Sequence, residues 1–458
     1  MQNIILNTDS YKTSHYLQYP PRTEYISSYI ESRGGEYDST VFFGLQMFLK
    51  QYLSKPITAT DIDEAQIICT AHGVPFNRAG WEYIVNSHRG FLPLEIEAVV
   101  EGTEVPTGNV LVQVVNTDPA CAWLTSYIET ALLRAVWYPT TVATVSKACQ
   151  KVIARYLRET ADNSDGLAFK LHDFGARGAS SEETVAIGGL AHLVNFMGSD
   201  SLSAIVAARR FYSADMAGFS IPAAEHSTIT SWGREGEVAA YKNMLKQFAG
   251  KDKLLAVVSD SYDLWNAIDN LWGGELKAQV EVSGGTLVVR PDSGEPVKIV
   301  PEAIERLMSA FGYSVNSKGY KVLPPCVRLI QGDGVSVNSI EAILEQMQFR
   351  GLSADNVAFG MGGELLQKVN RDTQKFAMKA SAICIDGQWR DVYKDPITDV
   401  GKRSKKGRLA LITANGKFET VRRDTVNSEE NTLISVFRNG QLLMDYNFDD
   451  VRARARGA

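Results

Sequence analysis

The sequence predicts an α/β protein whose central domain is a parallel α/β barrel or a doubly wound sheet. Three observations predict it. First, seven short apolar runs in the middle of the chain share one plan, each ending in Asp, Gly, His or Arg. They are LAFKLHDFGAR to Arg177, HLVNFMGSD to Asp200, GFSIPAAEH to His226, LLAVVSDS through Asp260, TLVVRPDSG with Arg290 and Asp292, CVRLIQGDG with Gly332 and Asp333, and NVAFGMGG with Gly362 and Gly363. Runs of this length, rich in β-branched residues, suit strands buried on both faces. Second, most are followed by helical spacing, and strand–helix units at such intervals build parallel sheets. Third, the unusual polar residues stand at the ends of the runs. In both architectures chemistry gathers at the carboxyl ends of the strands.

The elements follow in order. Residues 1–38 read as irregular, with Tyr19-Pro20-Pro21 and Gly34-Gly35. Residues 40–52 predict a helix from Val41, Leu45, Phe48, Leu49 and Tyr52 at helical spacing. Two more short helices are expected before Gly90. LEIEAVVEGTEVPTGNVLVQVVNTD alternates apolar and polar residues, with turn signals at Glu101-Gly102 and at 106–109, and predicts antiparallel strands. Helices are expected at 120–137 and 140–160. The strand–helix series is expected from near Leu167 to near Lys379. Short strands follow at 381–385, 388–393, 409–413 and 433–437, with turns at Gly387 and Asn439-Gly440. The expected division is 1–160 as the N-terminal part of an α+β domain, 161–385 as the α/β barrel, and 386–458 as the C-terminal part of the α+β domain.

Bulk properties narrow the function. A net charge of −6 over 458 residues argues against a general nucleic-acid binder, which carries a basic excess. The five cysteines (Cys69, Cys121, Cys149, Cys326, Cys384) are scattered, with no CxxC pair. That speaks against a disulfide framework or zinc site and for a reducing cytoplasm. The start, MQNIILNTDSYK, lacks a signal-peptide pattern, and no apolar run is long enough to span a bilayer.

Five features carry chemistry. VAFGMGGELLQKV is a strand, a glycine turn and a helix start, which suits a phosphate cradled by backbone N–H groups or a tight turn with no ligand. It is neither a P-loop nor a dinucleotide fingerprint. Asp292 and Asp333 each follow a buried strand, where a carboxylate accepts from ribose hydroxyls or holds Mg²⁺ through water; the alternative is an Asx turn or helix N-cap. His226 opens a helix at a strand end and is placed as acid, base or nucleophile. Its fellow histidines His172 and His192 read as structural. Arg33, Arg177, Arg290, Arg371 and Lys379 are placed to neutralise phosphate, whereas KRSKKGR (402–408) reads as a solvated loop. Asp173-Phe174 and Asp9-Ser10-Tyr11 set rings beside polar groups. Two rings can sandwich a flat heterocycle, or both can be core.

Nine motifs in this order carry a resemblance: TDSYK (8–12), HDFGARG (172–178), HLVNFMGSD (192–200), PAAEHSTIT (222–230), SDSYD (259–263), RPDSG (290–294), IQGDG (330–334), LLQKVNRD (365–372) and KRSKKGR (402–408). Over essentially its whole length the chain resembles the nicotinamide phosphoribosyltransferase family. The resemblance implies a type II phosphoribosyltransferase fold, an α/β barrel with an α+β domain built from the N- and C-terminal segments, working as a cytoplasmic homodimer with a shared active site. It implies transfer of phosphoribosyl from phosphoribosyl pyrophosphate to nicotinamide in NAD salvage, with Mg²⁺ bound through the substrate and ATP as co-substrate. From the charge and the lack of a long apolar run, no contact with nucleic acid or membrane is expected. By the same resemblance Phe174 and the partner chain's copy of Tyr11 stack on the base, and Asp200 accepts from the carboxamide. Arg177 helps hold base and phosphates. Asp292, Asp333 and Gly332 serve the ribose and the metal shell, and Gly362 and Gly363 the 5′-phosphate. Arg33, Arg290, Arg371 and Lys379 face phosphate or pyrophosphate. His226 takes the phosphoryl group of ATP and Asp260 supports it. Met361, where the family has a small residue, and Ala377, where serine is common, depart from the pattern. The competing readings are nicotinate phosphoribosyltransferase and a non-catalytic metabolite binder on the same scaffold.

Overall fold

The computed structural model describes residues 3–398 and 403–457, so Lys402, at the start of the KRSKKGR run, lies outside the described residues. The chain forms two compact units. One comprises Met1–Thr144, Ala207–Asp215 and Asn370–Ala458, the other Val145–Val206 and Met216–Val369.

The second unit holds a six-stranded sheet in the order Gly198–Ser199, Leu171–Asp173, Val357–Met361, Val327–Gln331, Thr286–Arg290, Leu254–Val258. Every neighbouring pair is parallel. The strands are short and apolar because helices cover them: Val257, Val289, Leu329 and Phe359 are all buried. Five of the seven runs become regular strands in this way, and two behave differently.

His192 and Leu193 finish the helix Glu182–Leu193 and Val194 caps it, leaving only Gly198–Ser199 as strand. Leu190, Ala191, Leu193 and Val194 are all fully buried, and periodicity cannot separate a helix buried all round from a buried strand. The segment through Ala224 forms no regular strand, because Pro222 has no N–H to give a ladder. It still pairs with both edges of the sheet. Phe219 exchanges hydrogen bonds with Met197 and Ser199 (2.7 and 3.0 Å), and the Pro222 and Ala224 backbone does so with Ala256 (2.9 Å each). The parallel sheet therefore closes on itself through an irregular seventh segment.

The first unit is built on a seven-stranded sheet in the order Gln388–Asp391, Phe376–Ile385, Thr23–Ser32, Val110–Asn116, Leu94–Ala98, Ile434–Arg438, Gln441–Leu442, with antiparallel pairing throughout. Its third strand, Thr23–Ser32, lies in the stretch expected to be irregular. Ser27, Ser28, Glu31 and Ser32 are buried on it, so its composition disguises its burial. The strand–helix series also stops short of Lys379, since Phe376–Ile385 pairs with Thr23–Ser32 in this antiparallel sheet.

The helix expected over 40–52 begins later. Ser39–Val41 is a strand paired with Glu104–Pro106, Gly44 turns the chain at φ 101°, and Leu45–Phe48 starts the helix. The two helices expected at 120–137 and 140–160 give way to short turns and one continuous helix, Glu129–Thr160, with Pro139 inside it. The Thr141 hydroxyl donates to the Trp137 carbonyl at 2.6 Å, a back-bond to the preceding turn that spans the proline.

Candidate active site

The second unit gathers its site at the carboxyl ends of its strands. Phe174 directly follows the strand Leu171–Asp173, and its N–H donates to the Met361 carbonyl (3.0 Å) across the strand pair. Glycine makes room for the ring. A Cβ on Gly360 would lie 2.0 Å from Phe174 Cε2, so no larger residue fits under it. A Cβ on Gly332 would lie 3.5 Å from both Phe174 Cε2 and Asp292 Oδ1. One point above Gly332 is thus within contact of an aromatic face and a carboxylate, each from a different strand end.

Asp292 is held by its neighbours. Arg290 donates to it twice, at 3.3 and 3.1 Å, and Asp260 Oδ2 accepts from the Asp292 N–H (2.8 Å) and from Ser293 Oγ (2.5 Å). Hydrogen bonds to charged groups contribute about 1.5–3 kcal/mol each, so this turn is firmly set. Asp260 Oδ1 is buried without a hydrogen-bond partner. Asp333 is exposed past the strand Val327–Gln331, and its side chain has no partner among the described residues.

His226 opens the helix His226–Thr230 and is half exposed. Its Nδ1 lies 2.9 Å from Ser261 Oγ, and its Nε2 lies 3.5 Å from Asp292 Oδ2 and 3.9 Å from Asp260 Oδ1. Asp260, expected to support His226, is therefore the more distant carboxylate; Ser261 makes the close contact. With one ring nitrogen engaged by a hydroxyl, the other faces the two carboxylates.

Asp200 follows Gly198–Ser199. Its N–H donates to the Asp173 carbonyl (3.0 Å), and its Oδ1 accepts from Ser220 Oγ (2.6 Å). Asp173 itself is fully buried, accepts from the Gly175 N–H at 2.8 Å, and has its pKa raised, chiefly by burial. The turn carrying exposed Arg177 packs on the glycine turn: a Cβ on Gly175 would lie 2.9 Å from the Gly362 carbonyl oxygen, and one on Gly178 3.7 Å from Gly363 Cα. His192 is buried against Ser146 (3.0 Å), as a structural histidine would be. His172 Nε2 is satisfied by the Phe169 carbonyl at 2.9 Å.

The first unit carries the other predicted residues. Tyr11 is 59% exposed, with Lys12 Nζ 5.0 Å from its ring centre and His15 edge-on at 5.1 Å. Arg33 Nε donates to the buried Glu31 at 2.9 Å, while its Nη2 is buried without a partner. Arg371 is exposed beside Asp372. Burial pushes the Lys379 ammonium pKa down; Glu129 pulls it up, and Arg33, Lys12 and Arg371 push it further down. Three cations therefore lie close enough to act on Lys379, one of them, Lys12, itself paired with Glu129 at 2.6 Å, and a gathering of cations suits a polyanion. KRSKKGR is less free than its composition suggests: Lys405 pairs with Glu31, and Arg403 with Asp395 at 2.6 Å.

Sequence reasoning missed Ser220, Ser261, Ser293 and Gly360. Only Ser261 and Ser293 carried a signal, standing next to Asp260 and Asp292 in their turns.

The architecture is that of the type II phosphoribosyltransferases. Nicotinate-nucleotide pyrophosphorylase from Pyrococcus furiosus has a TM-score of 0.64 at 14% identity, covering 99% of this chain and 95% of that one. Human nicotinic acid phosphoribosyltransferase has a TM-score of 0.57 at 17% identity, covering 98% and 92%. A profile of the nicotinate phosphoribosyltransferase family matches residues 169–441, and one of the nicotinamide phosphoribosyltransferase N-terminal domain matches 3–96. Proteins named nicotinamide phosphoribosyltransferase from Xanthomonas campestris pv. campestris and Mycoplasma pneumoniae are 55% and 35% identical. They cover 100% and 88% of this chain, and 99% and 95% of their own lengths are covered. The chain belongs to the nicotinate phosphoribosyltransferase family and is a phosphoribosyltransferase.

Proposed function

We propose that the chain transfers phosphoribosyl from phosphoribosyl pyrophosphate to nicotinamide, giving nicotinamide mononucleotide and pyrophosphate in NAD salvage. The observation that carries this is the meeting of Phe174, Asp292 and His226 at the carboxyl ends of strands of one sheet, with Asp200 next to the strand that bears Phe174. Full-length likeness to relatives named for nicotinamide supports it.

In this reading nicotinamide lies on Phe174 with its carboxamide N–H₂ donating to Asp200, whose other neighbour is the Ser220 hydroxyl. The C1–oxygen bond to pyrophosphate breaks as the C1–nitrogen bond forms, and positive charge develops on the ribose. Asp292 and Asp333 face that charge and the ribose hydroxyls. The donors suit Mg²⁺: a buried, unpartnered carboxylate oxygen on Asp260 and an exposed carboxylate on Asp333 are hard oxygens. No cluster of three metal-ligating side chains occurs among the described residues, so the ion would draw most of its ligands from substrate and water. It would supply charge stabilisation to the departing pyrophosphate. Arg33, Arg371 and Lys379 meet the pyrophosphate from a second copy of the chain, with Tyr11 as the opposite face of the base sandwich, so that a homodimer has two composite sites.

His226 is the acceptor of a phosphoryl group from ATP, and the added charge couples ATP hydrolysis to pyrophosphate and Mg²⁺ binding. Five free cysteines suit a cytoplasmic setting, and no described helix is long and apolar enough to cross a membrane. Turnover of the purified protein with nicotinamide and with nicotinate tests the reading. A strong preference for nicotinamide is expected, and preference for nicotinate would overturn it.

A further inference from the structure

We infer that the antiparallel sheet carries a second ligand site, one for a nucleotide, built around Trp389 and Arg408. Both residues line two adjoining recesses in the first unit, of about 380 and 310 Å³, the size range of small-molecule pockets. Trp389 sits on the edge strand Gln388–Asp391 and is 39% exposed. Its ring stacks on Tyr25 (centroids 6.2 Å, planes 25° apart), and the Arg408 guanidinium lies 5.1 Å from the Trp389 ring centre. The result is a layered platform of two aromatic faces and a planar cation, the surface on which a heterocyclic base stacks.

The two recesses divide their chemistry. The first is lined by Glu24 and Glu95 beside the platform. Each has one carboxylate oxygen committed, Glu24 to the Gly387 N–H (2.8 Å) and Glu95 to Ser435 Oγ (3.0 Å). Carboxylates so placed accept from sugar hydroxyls. The second recess is lined by four arginines: Arg390, Arg408, Arg422 and Arg423. Arg422 is neutralised by Asp391 (2.9 Å) and Asp424 (3.1 Å), and Arg423 is paired with Glu97 at 2.5 Å. Arg390 and Arg408 make no ion pair among the described residues, and four arginines against Asp391, Asp424 and Glu97 leave the recess one positive charge in excess. Glycine shapes it: at Gly407, φ 87°, a Cβ would fall 2.7 Å from Arg422 Nη1. Base and sugar therefore belong in the first recess and phosphates in the second. None of these residues has a role in the transfer reaction set out above.

The test is titration calorimetry of the intact enzyme with AMP, with and without saturating nicotinamide mononucleotide, which fills the barrel site. AMP is expected to bind in both conditions. Adenosine and inorganic phosphate, each carrying half of the recognised chemistry, should bind at least tenfold more weakly. Arg408→Gln and Trp389→Ala should each weaken AMP by tenfold or more while kcat/KM for nicotinamide stays within twofold. Loss of AMP binding when nicotinamide mononucleotide is present, undiminished binding in Arg408→Gln, or no binding at millimolar AMP would overturn the site.

Discussion

Replacing Gly360 by alanine should damage base binding by displacing Phe174, without substituting any group that contacts substrate. The added Cβ would stand 2.0 Å from Phe174 Cε2 and 2.1 Å from Cδ2. Unstrained carbon contacts lie at about 3.5–4.0 Å, so the ring edge must retreat by about 1.5 Å. The backbone cannot yield instead, because Gly360 is paired with His172 on one side and the same strand pairs at Ala358 and Phe359 with Ile330 and Gln331 on the other. Overpacking of this kind costs about 1–3 kcal/mol of stability. A displacement of about 1 Å in a positioning group can cost about 100-fold in rate. The expected result is a kcat/KM for nicotinamide down by about two orders of magnitude, with a melting temperature only a few degrees lower. Gly274→Ala, away from the site, serves as the stability control, since its Cβ would meet only the Asp269 carbonyl oxygen at an ordinary 3.6 Å. Steady-state kinetics and thermal melts on the same preparations decide the matter. A Gly360→Ala enzyme with wild-type kcat/KM would refute Phe174 as the stacking face.

Four further outcomes are expected. Asp200→Ser should raise the nicotinate-to-nicotinamide ratio of kcat/KM by at least tenfold, because a carboxylate next to the base repels that of nicotinate; an unchanged ratio would remove Asp200 from base selection. His226→Ala should lose acid-labile phosphate and ATP hydrolysis while keeping ATP-independent synthesis, and normal ATP hydrolysis in that variant would contradict the phosphohistidine. Tyr11→Ala and Asp292→Ala should each be nearly inactive alone and regain activity when mixed under subunit exchange, since one rebuilt site appears per heterodimer; no recovery despite demonstrated exchange would rule out a shared site. Lys379 bears on pH. Burial and its cationic neighbours lower its pKa, and a bound anion reverses this. Pyrophosphate binding should therefore take up protons between the lowered pKa and the ordinary lysine value near ~10.4. Calorimetry in two buffers of different ionisation enthalpy measures that uptake, which should vanish in Lys379→Ala; buffer-independent heats in the parent enzyme would count against it.

The strands that present Asp260, Asp292, Asp333 and the glycine turn were legible because burial on both faces leaves a continuous apolar run, and a turn must follow it at once. The strand Thr23–Ser32 was not, because burial there is shared by serines and a glutamate whose partners come from distant parts of the chain, such as Ser32 Oγ on the Gln374 carbonyl (2.7 Å). The helices expected at 120–137 and 140–160 share one continuous helix, Glu129–Thr160, because packing carries the backbone through Pro139 in its interior. In the site, residue types with strong chemistry stood out. Gly360 did not, since its role is to be absent under a ring. Ser261 did not either, because which side chain meets His226 Nδ1 depends on loop geometry that spacing does not encode.

The irregular seventh segment has a mechanical consequence. Neighbouring strands such as Leu254–Val258 and Thr286–Arg290 are paired along five residues, whereas the stretch from Phe219 to Ala224 is tied to its two neighbours by four backbone hydrogen bonds in all. The closed sheet thus has a seam on this side, made by this stretch and by Gly198–Ser199, which pairs with Leu171–Asp173 over only two residues, and local opening favours such a lightly bonded side. His226 begins two residues beyond that seam. Charge added to or removed from its ring acts beside this lightly bonded stave of the barrel, so a chemical event at one side chain is positioned to loosen or tighten the wall that holds it.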